Sequence, residues 1–235
     1  LNAQQVFDGR VEIHGAGGHG GAKGRLHSFR PFEDGGHTGA ALAQLPLSAG
    51  QRLRFDRILT EQGLSQVSVF SILQDNQGFV WFGTEHGLNR YDGYAFQVYK
   101  HDPENLNSLS DSWITAMIVD RSGDLWIGTA NAGLNRFDLE ANHVTRYQND
   151  PDDAHSLSND RVLSVFLDRA GDLWVGTEYG LNRFVRETET FVRYPHDPGD
   201  PSSLSGNSVR AIIQDQDGDL WIGTDEGLDR YDPGS

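Results

Sequence analysis

Cysteine is absent from the chain, which excludes disulfides and thiolate chemistry without fixing a compartment. No apolar run approaches the roughly 18 residues that read as a membrane-spanning helix. Basic residues are scarce: 19 Lys and Arg stand against 34 Asp and Glu, a formal net charge of −15, and no Lys/Arg run occurs. A surface of that sign repels phosphate backbones and anionic lipid, so neither nucleic acid nor a membrane surface is an expected partner. An N-terminal leader is not recognisable either. The first residue is Leu, and Ala41-Leu42-Ala43 has the small-x-small form of a signal-peptidase site. The stretch before it, HSFRPFEDGGHTGA, is polar where a signal peptide needs an apolar core.

What is present in quantity is repetition. Four near-copies of one phrase run through the chain: DNQGFVWFGTEHGLNRYD from Asp75, DRSGDLWIGTANAGLNRFD from Asp120, DRAGDLWVGTEYGLNRFV from Asp168 and DQDGDLWIGTDEGLDRYD from Asp215. Their tryptophans, Trp81, Trp126, Trp174 and Trp221, are 45, 48 and 47 residues apart. Each copy is preceded by a second shared phrase (LSQVSVFSILQ, LSDSWITAMIV, LSNDRVLSVFL, LSGNSVRAIIQ), and Asp/Pro/Ser-rich loops join the units. A fixed period of this length signals a repeat architecture.

The local patterns say what one unit builds. Ser71, Ala116, Ser164 and Ala211 are small and flanked by β-branched and apolar residues, as in a strand crowded against its equivalents. A D-x-x-G turn follows, its glycine supplying a positive φ. The next run, VWFGT or LWIGT/LWVGT, is apolar at successive positions, so both faces of that strand are covered. GLNRY-type and FQVYK, HVTRY or TFVRY segments supply a third and an outer fourth strand. Four short antiparallel strands per unit, with both sheet faces buried, describe an all-β propeller blade.

The phrase D-x-x-G-x-L-W-I-G-T-x-x-G-L-N-R-Y/F-D resembles the two-component regulator propeller repeat, over residues 64–235. The resemblance implies an extracytoplasmic, periplasmic sensor region of bacterial hybrid histidine kinases or diguanylate cyclases, in which a seven-bladed propeller precedes a membrane span and a catalytic output. It implies binding without catalysis in this segment.

The expected blades lie near 64–108, 109–156, 157–203 and, incomplete, 204–235. RLRFDRILTEQGLS resembles the pattern that leads from one blade to the next, so Leu53–Ile58 is expected as an outer strand without its own blade. Either it completes the fourth blade and closes a ring of four, or the chain is part of a larger ring. Seven units need roughly 330 residues, of which residues 51–235 supply about half, and the larger ring is the preferred reading. An open row of blades leaves two apolar faces in water, which invites association and admits a homodimer. Residues 1–50 do not fit the repeat, and their Gly/His-rich composition reads as disordered or irregular.

Several motifs are better explained by structure than by chemistry. Gly15 to Gly20 matches G-x-G-x-x-G but lacks the following helix that a dinucleotide site needs. His14, His19, His27 and His37 lack the spacing of a metal site, and Asp215–Asp219 lacks the full calcium-loop pattern. No cofactor or metal is therefore expected. Arg90, Arg136, Arg183 and Arg230 recur in every unit, which assigns them a structural task such as pairing with a repeat aspartate.

Positions that differ between copies are free to carry function. In a blade, the loop between the second and third strands and the loop entering the first open on one face. They supply the ligand-binding candidates Glu85, His86, Asn131, Glu178, Tyr179, Asp225 and Glu226, with Trp113, Arg161 and Asn207 at or near the entry positions. This acidic, amide and aromatic set suits a polar ligand such as a glycan, or a protein partner. Two alternatives are a protein-interaction scaffold and a propeller enzyme similar to the streptogramin lyases, for which His86 is the loop histidine. A membrane enters only through parts beyond Ser235.

Overall fold

The computed structural model describes residues 54–233. The glycine-rich fingerprint, the four N-terminal histidines and the expectation of disorder for residues 1–50 lie outside them. After one turn of 3-10 helix at Thr60–Gln62, the chain is built from strands. The first sheet comprises β1 (Val69–Gln74), β2 (Val80–Thr84), β3 (Gly87–Tyr91) and β4 (Phe96–Tyr99), paired antiparallel in chain order. The second holds β5 (Ile114–Val119), β6 (Leu125–Thr129), β7 (Leu134–Asp138) and β8 (His143–Tyr147). The third holds β9 (Val162–Leu167), β10 (Leu173–Thr177), β11 (Gly180–Val185) and β12 (Thr190–Tyr194). The fourth has three strands, β13 (Val209–Gln214), β14 (Leu220–Thr224) and β15 (Leu228–Tyr231). These are propeller blades, with the inner strands β1, β5, β9 and β13 side by side.

Each blade is started by its turn. Gly78, Gly123, Gly171 and Gly218 have φ between 93° and 102°, the left-handed value this three-residue hairpin loop requires. The aspartate opening the turn has a second task that its position in the sequence did not disclose. In the second blade one Asp120 carboxylate oxygen accepts from the Ser122 and Asp124 N–H groups at 2.9 and 3.1 Å, and the other from Trp126 Nε1 at 2.9 Å. The indoles of Trp81, Trp174 and Trp221 donate in the same way to Asp75, Asp168 and Asp215. These carboxylates are thus committed to the turn and the indole.

Unbroken apolarity in the second strand follows from where the cores lie. There is one between each pair of blades. Leu125, Ile127 and Phe137 of the second blade pack with Trp81 and Leu88 of the first. From the opposite face Trp126 and Leu134 pack with Val162, Val175 and Phe184 of the third. Trp174 and Leu181 then meet Val209, Ile212 and Ile222 of the fourth. The small residues of the inner strand face the glycine of the second: Ser71 pairs with Gly83, Ala116 with Gly128, Ser164 with Gly176 and Ala211 with Gly223. That groove admits the next blade. A methyl on Gly128 would stand 2.5 Å from Val162 Cγ1.

The recurring arginines are structural in three blades as expected. Arg136 approaches Asp124 at 3.6 Å, Arg183 approaches Asp172 at 3.9 Å and Arg230 Nε donates to Asp219 at 2.6 Å. In the first blade the aspartate is replaced by Phe79, and the Arg90 guanidinium lies 3.6 Å above that ring. A cation over an aromatic face and a surface ion pair are both worth about 0.5–1 kcal/mol. Phe79→Asp should therefore shift the urea unfolding free energy by less than about 1 kcal/mol. A loss of twice that would show that the ring, and not its charge partner, holds the turn.

The expectation for Leu53–Ile58 needs correction. Its described part, residues 54–58, contains no strand, Phe55 is 84% exposed, and among the described residues β15 has no partner on its outer edge and no ring of four blades closes. Among the described residues Ile72 of the first blade and Leu228 of the fourth are each 65% exposed.

Candidate functional site

The loops that carry the candidate residues are held by a hydrogen-bonded frame repeated in every blade. The threonine ending the second strand caps the following loop: Thr84 Oγ1 donates to Gly87 O at 2.9 Å, and Thr129, Thr177 and Thr224 do the same to Gly133, Gly180 and Gly227. The Leu-Ser phrase entering each blade is tied to the third strand. Ser110 N donates to Asn135 Oδ1 at 2.9 Å, Ser65 and Ser158 repeat the bond with Asn89 and Asn182, and Ser205 uses Asp229. The three asparagines are fully buried. These Ser, Thr and Asn residues sit in phrases common to all copies, and a partner 24 positions away in sequence becomes visible only once the strands are in register.

The frame brings the two classes of loop together on one face. Within the second blade Ala130 N donates to Trp113 O at 3.0 Å, and within the third Glu178 N donates to Arg161 O at 3.1 Å. Across blades, Gly133 N donates to Asp160 O at 2.8 Å and Gly180 N to Asn207 O at 2.7 Å. On this footing Trp113 is 40% and Tyr179 62% exposed. His86, Asn131, Arg161, Asp225 and Glu226 are also exposed, while Glu85, Glu178 and Asn207 are half-buried.

The candidates differ in how free their side chains are. Arg161 Nη1 and Glu178 Oε1 form an ion pair at 2.8 Å. Asn131 Nδ2 donates to Asp111 Oδ2 at 2.9 Å, which adds Asp111 to the face. The Trp113 ring lies 6.4 Å from that of Phe70 on the neighbouring inner strand. Asn207 is not the equivalent of Trp113 and Arg161, because the residue directly before β13 is Ser208. Its amide oxygen accepts from His196 N at 2.9 Å, a linker-pinning task shared by Asp160, which accepts from Asn149 N at 2.7 Å. Asp225 Oδ1 accepts from Ser208 N at 3.3 Å.

Elsewhere, a groove of about 600 Å³ opens along β15, lined by Tyr194, Ser203, Leu204, Asp229, Arg230 and Tyr231 among others. It occupies the place of a fourth strand and contains none of the candidate residues.

Comparison with known proteins bears on both features. The family model of the two component regulator propeller matches residues 63–86, 108–131, 156–179 and 203–226. Each match runs from the Leu-Ser entry through the aspartate turn and the tryptophan strand into the candidate loop. The four blades are two-component regulator propeller repeats. Among solved structures, this propeller is similar to the extracellular domain assigned to a hybrid two-component system of Bacteroides thetaiotaomicron. The TM-score is 0.66 at 29% identity, over 77% of this chain and 26% of that one. A second extracellular domain from the same organism, assigned to a one-component system, matches with a TM-score of 0.61 at 25% identity, over 75% and 22%. A 48-residue stretch is 50% identical to histidine kinase P4 of Formosa agariphila, covering 20% of this chain and 4% of that protein. The repeats thus span about a quarter of the solved relatives and a small part of the curated one.

Proposed function

We propose that this propeller is the recognition part of a bacterial extracytoplasmic signalling protein. It binds a polar ligand on the loop face and leaves catalysis to other parts of the protein. The observation that carries the reading is the division of labour within each repeat. Residues common to all copies form a buried hydrogen-bonded frame, and residues that differ stand on it with their side chains outward. Likeness to extracellular domains of two-component systems supports a sensing role and a periplasmic or extracytoplasmic place.

Ligand class follows from the chemistry of the face. Exposed Trp113 and Tyr179 offer flat apolar rings with polar neighbours, which suit the alternating apolar and hydroxyl faces of a sugar. A net charge of −15 and the carboxylates of Glu85, Asp225 and Glu226 disfavour sulfated or uronate-rich chains. Neutral oligosaccharides are therefore expected to raise the melting temperature in a saturable manner. Tyr179→Ala and Trp113→Ala should weaken that binding about tenfold or more, the loss expected of a central aromatic anchor, while leaving the unliganded melting temperature in place. No saturable shift across neutral and acidic glycans would remove the glycan reading and leave a protein partner as the occupant of this face.

A further inference from the structure

We propose that a pocket between the first and second blades, on the turn side of the sheets, receives an arginine side chain from a protein partner. The pocket measures about 420 Å³ and is lined by Asn76, Gly123, Asp124, Asp138, Leu139 and Glu140 among others. It lies where turns join the first strand to the second and the third to the fourth. That is the opposite side of the blades from the loop face, so its occupant does not compete with a ligand there.

The other two junctions show what fits this place. Between the second and third blades, Arg121 of one turn staples the next, with Nη1 donating to Ala170 O at 3.3 Å and Nη2 to Arg169 O. Its guanidinium lies over the turn glycine, and a Cβ added to Gly171 would stand 3.3 Å from Arg121 Nη1. Between the third and fourth blades Arg169 repeats the staple, donating from Nη1 to Gln216 O at 3.1 Å and from Nη2 to Asp215 O at 2.6 Å. The first turn reads DNQG, so its staple position is Asn76. That side chain is too short to do the same. Its Nδ2 lies 3.9 Å from where a Cβ on Gly123 would stand, and among the described residues no side chain donates to the carbonyl of Arg121 or Ser122.

A second cation is replaced at the same spot. Between the second and third blades Arg186 pairs with Asp120, its Nη1 3.0 Å from Oδ2. The counterpart of Arg186 one blade earlier is Leu139, which lines the pocket together with Asp75. The carboxylates, by contrast, are kept and added to: Glu140 stands where the third blade has Glu187, and Asp138 where it has Val185. Asp138 Oδ1 accepts from Glu140 N at 2.9 Å and from Ala141 N at 2.7 Å. Among the described residues neither Asp138 nor Glu140 enters an ion pair, while Asp124 is approached by Arg136 at 3.6 Å.

Two neighbouring carbonyls with carboxylates beside them select a guanidinium over an ammonium. The planar fork of arginine serves both carbonyls at once, as Arg121 and Arg169 do, whereas lysine offers a point charge. The net charge of −15 adds a long-range attraction for a basic partner.

Amide and indole resonances of the whole chain, followed during titration with N-acetyl-arginine amide at constant ionic strength, test this. A lone side chain without its protein should bind in the millimolar range, roughly 1–10 mM. The expected result is a saturable shift of the Ser122 and Gly123 amides and of the Trp81 indole, whose N–H donates to Asp75 Oδ2. The indoles of Trp126, Trp174 and Trp221 should stay in place. N-acetyl-lysine amide should bind about threefold more weakly or worse, for want of the fork. Asn76→Arg, at an exposed position, supplies the staple from within the chain and should abolish the saturable shifts. Glu140→Gln, also exposed, keeps the shape of the pocket and should weaken binding about threefold. No saturable shift by about 50 mM would overturn the inference, as would equal binding of the lysine amide or shifts that either variant leaves as they are in the wild type.

Discussion

Gly176→Ala is expected to open the junction between the third and fourth blades, while Gly223→Ala, the same change in the same phrase, leaves the fold nearly untouched. A methyl group on Gly176 would stand 2.5 Å from the Val209 carbonyl oxygen and 2.7 Å from Val209 Cγ1, and would also meet Ser164 Oγ. The first of these is backbone of the adjoining inner strand, so relief requires the two blades to move apart. Overpacking of this kind costs about 1–3 kcal/mol, and more when backbone must shift. On Gly223 the nearest atom is Ala211 Cβ at 3.6 Å, and surface changes of that sort stay within about 0.5 kcal/mol. Urea unfolding of both variants gives the comparison. Equal losses would mean that the glycine serves backbone conformation and not the close approach of blades.

Asp120→Ala should be the most damaging change in the second blade. The carboxylate is buried, and it serves the Ser122 and Asp124 N–H groups, the Ser122 hydroxyl, the Trp126 indole and Arg186, whose Nη1 lies 3.0 Å away. Removing it leaves the buried indole N–H and the turn amides without their acceptor, while the Arg186 side chain, 42% exposed, is recovered by water, for an expected loss of about 1–3 kcal/mol. Burial pushes the Asp120 carboxyl up. The hydrogen bonds from Ser122 and Trp126, together with the Arg186 hydrogen bond and charge, outweigh it and hold the group below the ordinary carboxylate value. The stability this contributes is fully present above the unfolded pKa of about 3.9. It is lost as the pH falls through the lower folded value. Asp120→Asn should flatten that acid limb when the urea midpoint is followed from about pH 5 downward. An unchanged limb would show that other carboxylates set it.

The fold was legible from the sequence because its signals are local. The D-x-x-G turn, the doubly apolar LWIGT strand and the regular return of tryptophan each speak within one unit, and together they describe a blade. What escaped was most of the contacts set by register between strands, the pairing of the repeat arginine with an aspartate excepted. Asp120 and Trp126 are both conspicuous, yet nothing in their spacing says that the carboxylate turns back to the indole. The Ser110 to Asn135 bond and the Arg146 clamp join phrases that read separately as loop and strand. Asn207 lies at the blade entry near the positions of Trp113 and Arg161, but its side chain pins the linker at His196. The loop face itself was legible, since positions that vary among copies were separable from positions that do not. The likeness of Leu53–Ile58 to an outer strand is real in composition, but a strand needs an edge to pair with, and residues 54–58 pair with none here.

The placement of the cores between blades, rather than inside them, has a kinetic consequence. No blade owns its hydrophobic interior, so a single unit has little reason to form alone, and structure must grow by adding neighbours to a first pair. Because each new contact joins adjacent units, chain closure spans only short loops, and growth can start at any of three junctions. Unfolding of these four blades should run the other way, beginning at the first and the fourth, which among the described residues share a core with a neighbour on one side only. Amide exchange would then fall off in steps from the middle of the row toward both ends, as in linear arrays where nearest-neighbour coupling dominates.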